Sequence, residues 1–217
     1  MGYTKRKEQE KEIKRNDIID AAERVFFSKG YEQATMDEVA KEAEYSKRTI
    51  YVYFNSKEQI YFEIMIRGYH LLIDKIEKVL ANNPPQNALD DLRSIFFTFF
   101  EFHQEEPAYF KAIMEYETKE SIEQPGSEQQ SEAECYQLGE QLFGYLYKAL
   151  QKGTEEGTIK DGLDKEITAL SLWACTIGIY NTADKKGAYL KKYHQIDTQS
   201  FVTESFHLFL HLILRTE

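Results

Sequence analysis

The sequence predicts an all-α protein: a small three-helix domain at the N-terminus, linked by a long helix to a larger helical domain. Three observations lead to this prediction. Apolar residues recur every three or four positions along most of the chain, and strand-like alternation is hard to find. Only 4 Pro and 11 Gly interrupt the 217 residues. Hydrophobic residues make up 42% of the chain, enough for a globular core.

The first predicted helix has one apolar face and ends near Gly30, a typical C-terminal stop. The preceding segment, KRKEQEKEIKRN (5–16), alternates in charge and is interpreted as a solvated tail or a frayed extension of this helix. A DNA contact by its basic residues is the less favoured alternative. The apolar face comprises Ile18, Ala22, Val25 and Phe26.

The next helices carry their own start signals. Thr35 opens the stretch TMDE, in which Glu38 can complete a capping box. Ser46 can cap a third short helix, whose inner side would carry Ile50 and Phe54. Ser56, with Gln59 as its partner, repeats the device before a long fourth helix. That helix is predicted to stop at the prolines of ANNPPQN (81–87).

The remaining helices are expected to be longer, and polar or glycine-rich connections separate them at 121–131 and 153–162. These features divide the chain into a small N-terminal domain, 1–60, and a larger helical domain, 61–217. The predicted helices of the second domain after the prolines are 87–105, 107–117, 130–152, 164–184 and 198–215.

Charge is distributed unevenly between the two parts. Residues 1–60 are neutral in sum, so the formal charge of −10 belongs to 61–217. Phosphate would repel this acidic body, whereas the neutral head can present a local basic face. Cys135 and Cys175 lie too far apart for a CxxC metal or redox motif. With no apolar N-terminal signal and no membrane-length apolar run, we expect a cytoplasmic protein without a membrane partner or cofactor.

Two short helices joined by a short turn have the dimensions of a helix-turn-helix, whose second helix enters the major groove of double-stranded DNA. An arginine there can bridge guanine O6 and N7, and hydroxyls and lysines can hold phosphates. Lys57 adds a positive charge at the start of the fourth helix, where exposed amides favour phosphate. The residues expected to face outward are Ser46, Lys47, Arg48, Thr49, Tyr51 and Tyr53.

Residues 18–61 resemble the DNA-binding domain of TetR-family transcriptional regulators. The resemblance implies DNA contacts from Ser46 through Thr49 and from Tyr51, Tyr53 and Lys57, with Thr35 and Met36 near the DNA backbone. The positions in register with the family pattern are Ile18, Ala21, Ala22, Phe26, Gly30, Thr35, Val39, Ala40, Ala43, Ser46, Thr49, Tyr51, Phe54 and Lys57.

Three positions depart from the family pattern. Glu44 replaces the usual turn glycine, so the turn must either avoid positive φ or tolerate strain. Arg48 stands where glycine is frequent and adds a side chain that can reach bases or phosphates. Tyr53 replaces a frequent histidine but keeps a hydroxyl donor. Together these departures prevent prediction of the operator sequence.

The last two long helices are expected to form a homodimer interface. Ala174 and Gly178 form a small-xxx-small pair that permits close helix approach, and the final helix is apolar around nearly its whole circumference. TetR-like proteins dimerise through these helices, and a dimer requires a palindromic DNA site. A deeply buried C-terminal helix in a monomer is the alternative. The expected interface residues are Ala174, Gly178, Phe201, Leu208, Phe209 and Leu212.

Wide aromatic side chains in the larger domain suggest a cleft for a small-molecule effector, as the resemblance also implies. An acidic, aromatic lining would favour a lipophilic or cationic molecule. Ordinary core packing is the alternative for any single residue. The candidate ligand-binding residues are Phe96, Phe99, Phe100, His103, Tyr109, Phe110, Met114, Tyr145, Trp173, Tyr180 and Asn181.

Other function classes are less well supported. No GxSxG, HExxH, GxGxxG or P-loop pattern occurs, which argues against an enzyme. His207 and His211 lie four residues apart, but no HExxH-type acid accompanies them as a metal ligand. An architectural DNA-binding protein would leave the acidic second domain unexplained. The sequence therefore predicts a ligand-responsive transcriptional regulator, a repressor, that binds a palindromic operator as a dimer.

Overall fold

The computed structural model describes residues 2–82, 87–117 and 129–215, and most of these residues are helical. A π-helical turn, Leu190–His194, follows the eighth helix. The α-helices are α1 (Gly2–Lys29), α2 (Met36–Glu42), α3 (Lys47–Tyr53), α4 (Lys57–Asn82), α5 (Ala88–Glu105), α6 (Pro107–Glu117), α7 (Gln129–Glu155), α8 (Lys165–Tyr189) and α9 (Thr198–Ile213).

The predicted all-α class is confirmed, because the described residues contain no strand beyond one isolated bridge between Ile159 and Leu214. The first helix is longer than its apolar pattern indicated. Its charged N-terminal half has an exposed surface and continues as regular helix from Gly2. The prolines at 84–85 and most of the polar loop at 121–131 lie outside the described residues.

One packing unit comprises Met1–His70 and Ala108–Leu138. Its core confirms the predicted inner faces of the short helices, since Ile18, Ile50 and Phe54 are fully buried. α4 completes this core. The buried cluster comprises Ile18, Ile19, Ala22, Val25, Phe26, Ala34, Val39, Ala40, Ile50, Phe54, Ile60 and Ile64.

The second packing unit comprises Leu71–Pro107 and Gly139–Glu217. Aromatic rings dominate its core: the Phe96 ring stacks on Phe206 with centroids 4.4 Å apart, and Tyr180 stacks on Phe96 at 5.7 Å. Neither unit ends at residue 60, so the functional division expected there stays a prediction.

The end of α9 is set by pairing with the loop after α7. The amide of Lys160 donates to the carbonyl of Ile213 at 2.9 Å, and the amide of Arg215 donates to Thr158 at 3.0 Å. These bonds draw the chain out of the helix, so α9 ends at Ile213 rather than at the predicted 215. Within the described ranges, no helix is long and apolar enough to cross a membrane.

Candidate nucleic-acid interface and effector cleft

The starts of α2 and α3 are set by strong local signals. The Thr35 hydroxyl accepts from the Glu38 amide at 3.3 Å, and the Glu38 carboxylate accepts from the Thr35 amide at 3.0 Å, which confirms the predicted capping box. A hydrogen bond from the Lys29 ammonium, followed by the Thr35 amide, lowers the pKa of Glu38. Ser46 caps α3 by accepting from the Thr49 amide at 3.1 Å.

The turn between α2 and α3 contains a residue with positive φ, although that residue is a glutamate. Glu44 has φ 57°, in the left-handed region that favours glycine. The amide of Tyr45 donates to the carbonyl of Ala40, and the amide of Glu44 donates to Lys41, as in a Schellman motif. The turn therefore keeps the geometry expected of glycine at the cost of some backbone strain.

α3 divides into an inner and an outer face. Ile50 and Phe54 are fully buried against α1 and α2, which fixes the rotation of the helix. We define the outer face of α3 as Arg48, Tyr51 and Val52, whose side chains are exposed. Tyr51 is 46% exposed and Val52 is 71% exposed.

Val52 was not among the sequence-predicted DNA contacts. An exposed valine on a recognition helix can contact a thymine methyl group. The signal that could have found it is its spacing, four residues after Arg48 on the same side of the helix.

Of the two basic residues that begin α3, one is already paired. The Lys47 ammonium lies 2.8 Å from a carboxylate oxygen of Asp37 on α2, a hydrogen bond that raises the pKa of Lys47. Arg48 is exposed and makes no hydrogen bond or ion pair with the described part of the chain. Arg48 is therefore the basic group on this helix that can meet DNA without breaking an internal contact.

The other predicted DNA contacts are placed as follows. Thr35 is exposed, but its hydroxyl is engaged in the capping box, while Met36 is half-buried on the core of the first unit. The Ser46 and Thr49 hydroxyl oxygens lie 2.8 Å apart at the start of α3. Tyr53 is partly buried and packs against the same core.

Lys57 lies where the pattern placed it, at the first residue of α4, but its ammonium bonds within the protein. Its Nζ donates to the carbonyl of Tyr31 at 2.8 Å and to that of Ala34 at 3.1 Å. It also lies 4.2 Å from the centroid of the Tyr31 ring. Lys57 therefore fastens α4 to the loop between α1 and α2, and its role as a phosphate contact stays a prediction.

A polar network links α1, α4 and α6 within the first unit. The Arg67 guanidinium of α4 donates to Asp20 at 2.6 Å and to Glu23 at 3.0 Å on α1. The Tyr109 hydroxyl of α6 donates to the same Glu23 carboxylate at 2.7 Å. The Tyr109 ring also packs edge-on against Phe27 of α1, with centroids 5.1 Å apart.

The second unit contains a narrow apolar cleft between α5, α7, α8 and α9. Its volume is about 20 Å³, room for one water molecule. Three of the predicted ligand residues, Phe96, Phe99 and Trp173, lie on its wall. The residues that line this apolar cleft are Leu92, Ile95, Phe96, Phe99, Leu146, Leu172, Trp173, Thr176, Phe206, Phe209 and Leu210.

The other predicted ligand residues of the second unit lie off the wall of the cleft. Phe100 and His103 stack on the ring of Tyr180, at centroid distances of 6.3 and 6.1 Å. The Tyr145 hydroxyl donates to Glu77 at 2.6 Å. Asn181 is half-buried on α8.

The remaining three predicted ligand residues, Tyr109, Phe110 and Met114, belong to the first unit. Phe110 and Met114 are buried on α6.

The prediction that acidic residues line the cleft was wrong. No Asp or Glu lies on the wall of the apolar cleft, and Glu101 on α5 and Glu204 on α9 are exposed. The physical reason is that an unpaired carboxylate facing this narrow apolar space would lose its hydration without compensation.

One side of α8 and α9 is left exposed although it is apolar. We define the apolar face of α8 and α9 as Ile167, Leu170, Leu208 and Leu212, whose exposed fractions run from 52% to 63%. Ala174 and Gly178 are exposed on α8, whereas Phe201 and Phe209 are half-buried on α9. The final helix is therefore buried on one side only within a single chain.

A model of the DNA-binding domain of bacterial regulatory proteins of the TetR family matches residues 18–64. The chain is 29% identical over 102 residues to the transcriptional activator FasR of Mycolicibacterium smegmatis, covering 47% of this chain and 46% of that protein. It thus spans about half the length of that relative.

A longer match exists to the fatty acid metabolism regulator protein of Bacillus subtilis, 28% identical over 160 residues, covering 72% of this chain and 76% of that protein. The fold resembles that of a TetR-family regulator from Shewanella sp. PV-4, with a TM-score of 0.68 and 16% identity, covering 94% of this chain and 99% of the other. Residues 18–64, which contain the capped helix-turn-helix, therefore match the TetR family of bacterial regulatory proteins, and the chain shares its overall fold with a solved member of that family.

Proposed function

We propose that this protein is a repressor that binds a palindromic operator as a homodimer and is released by a small lipophilic effector. The observation that carries the proposal is the outer face of α3. It presents an uncommitted arginine beside an exposed tyrosine and an exposed valine, on a helix whose inner side is fixed by a buried core. A helix held in this way can place side chains reproducibly against base edges.

The chemistry of the outer face assigns different roles to its residues. Arg48 reads guanine through two hydrogen bonds, and Val52 contacts a thymine methyl group. Tyr51 and the paired hydroxyls of Ser46 and Thr49 hold phosphates. Lys47 can join them only by giving up its bond to Asp37, so its net contribution is smaller than its charge suggests.

Arg48→Ala tests the DNA-reading role. Each good arginine–guanine pair contributes about 1–3 kcal/mol of discrimination, so the variant should lose roughly 5- to 150-fold affinity for its site and accept other bases at one position of each half-site. The measurement is site selection from a random duplex library, followed by titration of the selected sites at fixed salt.

Arg93→Ala is the matched control, because Arg93 is an exposed arginine on α5 in the second unit. It should leave the selected sequence unchanged. If Arg48→Ala also selects the wild-type sequence with wild-type affinity, this assignment of the outer face is wrong.

The proposal of a dimer is supported by the apolar face of α8 and α9. Large exposed apolar side chains grouped on two adjacent helices mark an association surface. The uncovered Ala174 and Gly178 leave room for a partner helix to approach closely. A two-fold axis through this face would pair like helices from two copies and form a four-helix interface. Two identical heads then require a palindrome, with half-sites one or more DNA turns of about 34–36 Å apart.

An effector site is supported by the apolar cleft, because it lies inside the larger unit and carries the single tryptophan of the sequence. Release from DNA requires an effector that prefers the conformation with lower operator affinity. Repression follows if the bound dimer blocks transcription. Activation is the second candidate, favoured by the name of FasR, and transcription in vitro from a promoter that carries the selected site distinguishes the two by the sign of the change in transcript.

A further inference from the structure

The wall of the apolar cleft consists almost entirely of hydrocarbon and aromatic side chains and carries no charged group. Its polar side-chain groups are the hydroxyl of Thr176, which donates to the carbonyl of Leu172 in its own helix at 2.7 Å, and the indole N–H of Trp173. The backbone behind the wall is helical and hydrogen-bonded within α5, α7, α8 and α9. A ligand inside the cleft therefore meets mainly hydrocarbon and aromatic surface.

Three polar side chains close in sequence to the cleft residues lie off its wall. The Tyr180 hydroxyl donates to the carbonyl of Phe96 at 2.8 Å, and burial raises the pKa of Tyr180. The Tyr145 hydroxyl is held by Glu77, and His103 lies 3.6 Å from Asp184. None of these three side chains lines the cleft, so none can neutralise or orient a charged group inside it.

The absence of charged groups from the wall limits the chemistry of an occupant. A charged group drawn into this space would lose its hydration and find no partner, a penalty that hydrocarbon does not incur. Apolar surface gains from the same transfer, in proportion to the area removed from water. The wall therefore selects uncharged hydrocarbon.

The size of the cleft limits the shape of the occupant. At about 20 Å³ it must widen before any ligand enters. Widening means separating ring pairs across it, such as Phe96 from Phe206 and Phe99 from Trp173, whose centroids lie 4.4 and 5.6 Å apart. A thin chain needs a small separation at each point along its length, whereas a rigid polycyclic body needs one large opening in a close-packed core.

We propose that the apolar cleft binds a single unbranched hydrocarbon chain, the alkyl or acyl tail of an amphiphile, and that the polar head stays outside the cleft. The inference rests on the proposed function, in which this cleft is the effector site, and names its ligand class. The length of the chain sets the affinity of the amphiphile, and the polar head contributes little to that affinity.

The test uses Trp173 emission as a site-specific reporter, because this is the only tryptophan in the chain. The probes are 1-hexanol, 1-octanol and 1-decanol, used below their solubility limits, with decanoate and decyltrimethylammonium as charged-head versions, used below their micelle-forming concentrations. We expect affinity to rise about fourfold for each added methylene. The three ten-carbon probes should bind within a few-fold of one another.

1-Adamantanol is the matched control for shape, since it has ten carbons in a rigid cage. It should bind at least tenfold more weakly than 1-decanol. Thr176→Phe, which fills the cleft, should abolish the response to 1-decanol in calorimetry, whereas Ala188→Phe at an exposed position of the same helix should not. The chain-length series on the unmodified protein decides the question even if Thr176→Phe fails to fold.

Affinity that is independent of chain length, or tighter binding of 1-adamantanol than of 1-decanol, would overturn the inference. Operator binding by the ligand-free protein is measured separately and tests the proposed regulator. Loss of chain-length dependence with intact operator binding refutes the ligand class alone. Chain-length dependence without any effect on operator binding upholds the ligand class and refutes the effector role of the cleft.

Discussion

Glu44 occupies a left-handed conformation, with φ 57°, that a glycine would adopt without strain. For a residue with a Cβ this conformation costs roughly 1–2 kcal/mol. Glycine avoids this strain, but it loses more conformational entropy on folding, so the net gain from a glycine here is smaller. Glu44 is also an exposed acid next to the helix proposed to read DNA. Its backbone conformation therefore lowers the stability of the turn, and its negative charge repels the phosphates of DNA.

Glu44→Gly should raise the free energy of unfolding by about 0.5–1 kcal/mol and strengthen DNA binding at low salt. Glu44→Ala is the control, since it removes the same charge but keeps the Cβ and its strain. Urea unfolding and operator titration at two salt concentrations measure the two effects. Equal stability of the Gly and Ala variants would show that the backbone of this turn is not strained.

A second prediction about a single residue concerns Lys57, whose ammonium donates hydrogen bonds to carbonyls of the loop between α1 and α2. Hydrogen bonds from a charged donor contribute about 1.5–3 kcal/mol in favourable cases, so Lys57→Met, which keeps an apolar stem of similar length, should lower the free energy of unfolding by about 1–3 kcal/mol. It should weaken binding to all DNA sequences alike without changing the salt dependence.

The phosphate-contact role makes the opposite prediction for Lys57. A lost phosphate contact would reduce the slope of log affinity against log salt by about 0.9 and leave unfolding nearly unchanged. Unfolding curves and salt titrations of the same variant therefore decide between a loop anchor and a phosphate grip.

At the scale of elements, α4 and α6 approach closely at Gly68. A Cβ added at Gly68 would lie 3.0 Å from the Tyr109 ring carbon Cδ1 and 3.1 Å from the Tyr109 Cβ. The Tyr109 ring cannot simply turn away, because Glu23 accepts from its hydroxyl and the ring packs edge-on against Phe27. This contact holds α6 against α1 and α4 in the first unit.

Gly68→Ala should therefore destabilise the protein by about 1–3 kcal/mol, despite the better helix propensity of alanine. Gly144→Ala is the matched control, since Gly144 lies in α7 with open space around its Cα, and this substitution should stabilise by up to ~1 kcal/mol. Thermal unfolding should show a lower melting temperature for Gly68→Ala and a higher one for Gly144→Ala than for the unmodified protein. A Gly68→Ala variant as stable as Gly144→Ala would mean that Tyr109 yields easily.

The elements differ in how well sequence alone predicted them. The caps at Thr35 and Ser46 were predictable because their partners lie three residues away. The start of α1 was left open between a solvated tail and a helix extension, because its charged half has no apolar face. The partners of Lys57 and of Tyr109 lie 23 to 86 residues distant, so no local pattern could reveal them. Aromatic content pointed to the cleft but not to its wall, because helix rotation decides which rings face inward.

At the scale of the whole molecule, the apolar cleft and the apolar face lie on opposite sides of the same two helices. α8 turns Leu172 toward the cleft and Leu170 outward, while α9 turns Leu210 toward the cleft and Leu208 outward. A ligand that widens the cleft by moving α8 or α9 also moves the apolar face. If the apolar face holds two subunits together, ligand binding and self-association are then linked, and each changes the other by the same factor.

Self-association through the apolar face can be tested directly. In a two-fold interface each substitution acts twice, and burying a leucine contributes about 1.5–3 kcal/mol, so the double variant Leu208→Ser with Leu212→Ser should weaken the dimer by more than ~100-fold. Because both leucines are exposed in the single chain, monomer stability should change little. Leu71→Ser is the control, since Leu71 is an exposed leucine on α4 outside this face, and its variant should dimerise as the unmodified protein does.

Sedimentation velocity from nanomolar to micromolar concentration measures the change in dimer affinity. Titration of full and half operators should show that the double variant no longer prefers the palindrome. A double variant that remains dimeric, or an unmodified protein that is monomeric at micromolar concentration, would place the subunit contact elsewhere or remove it.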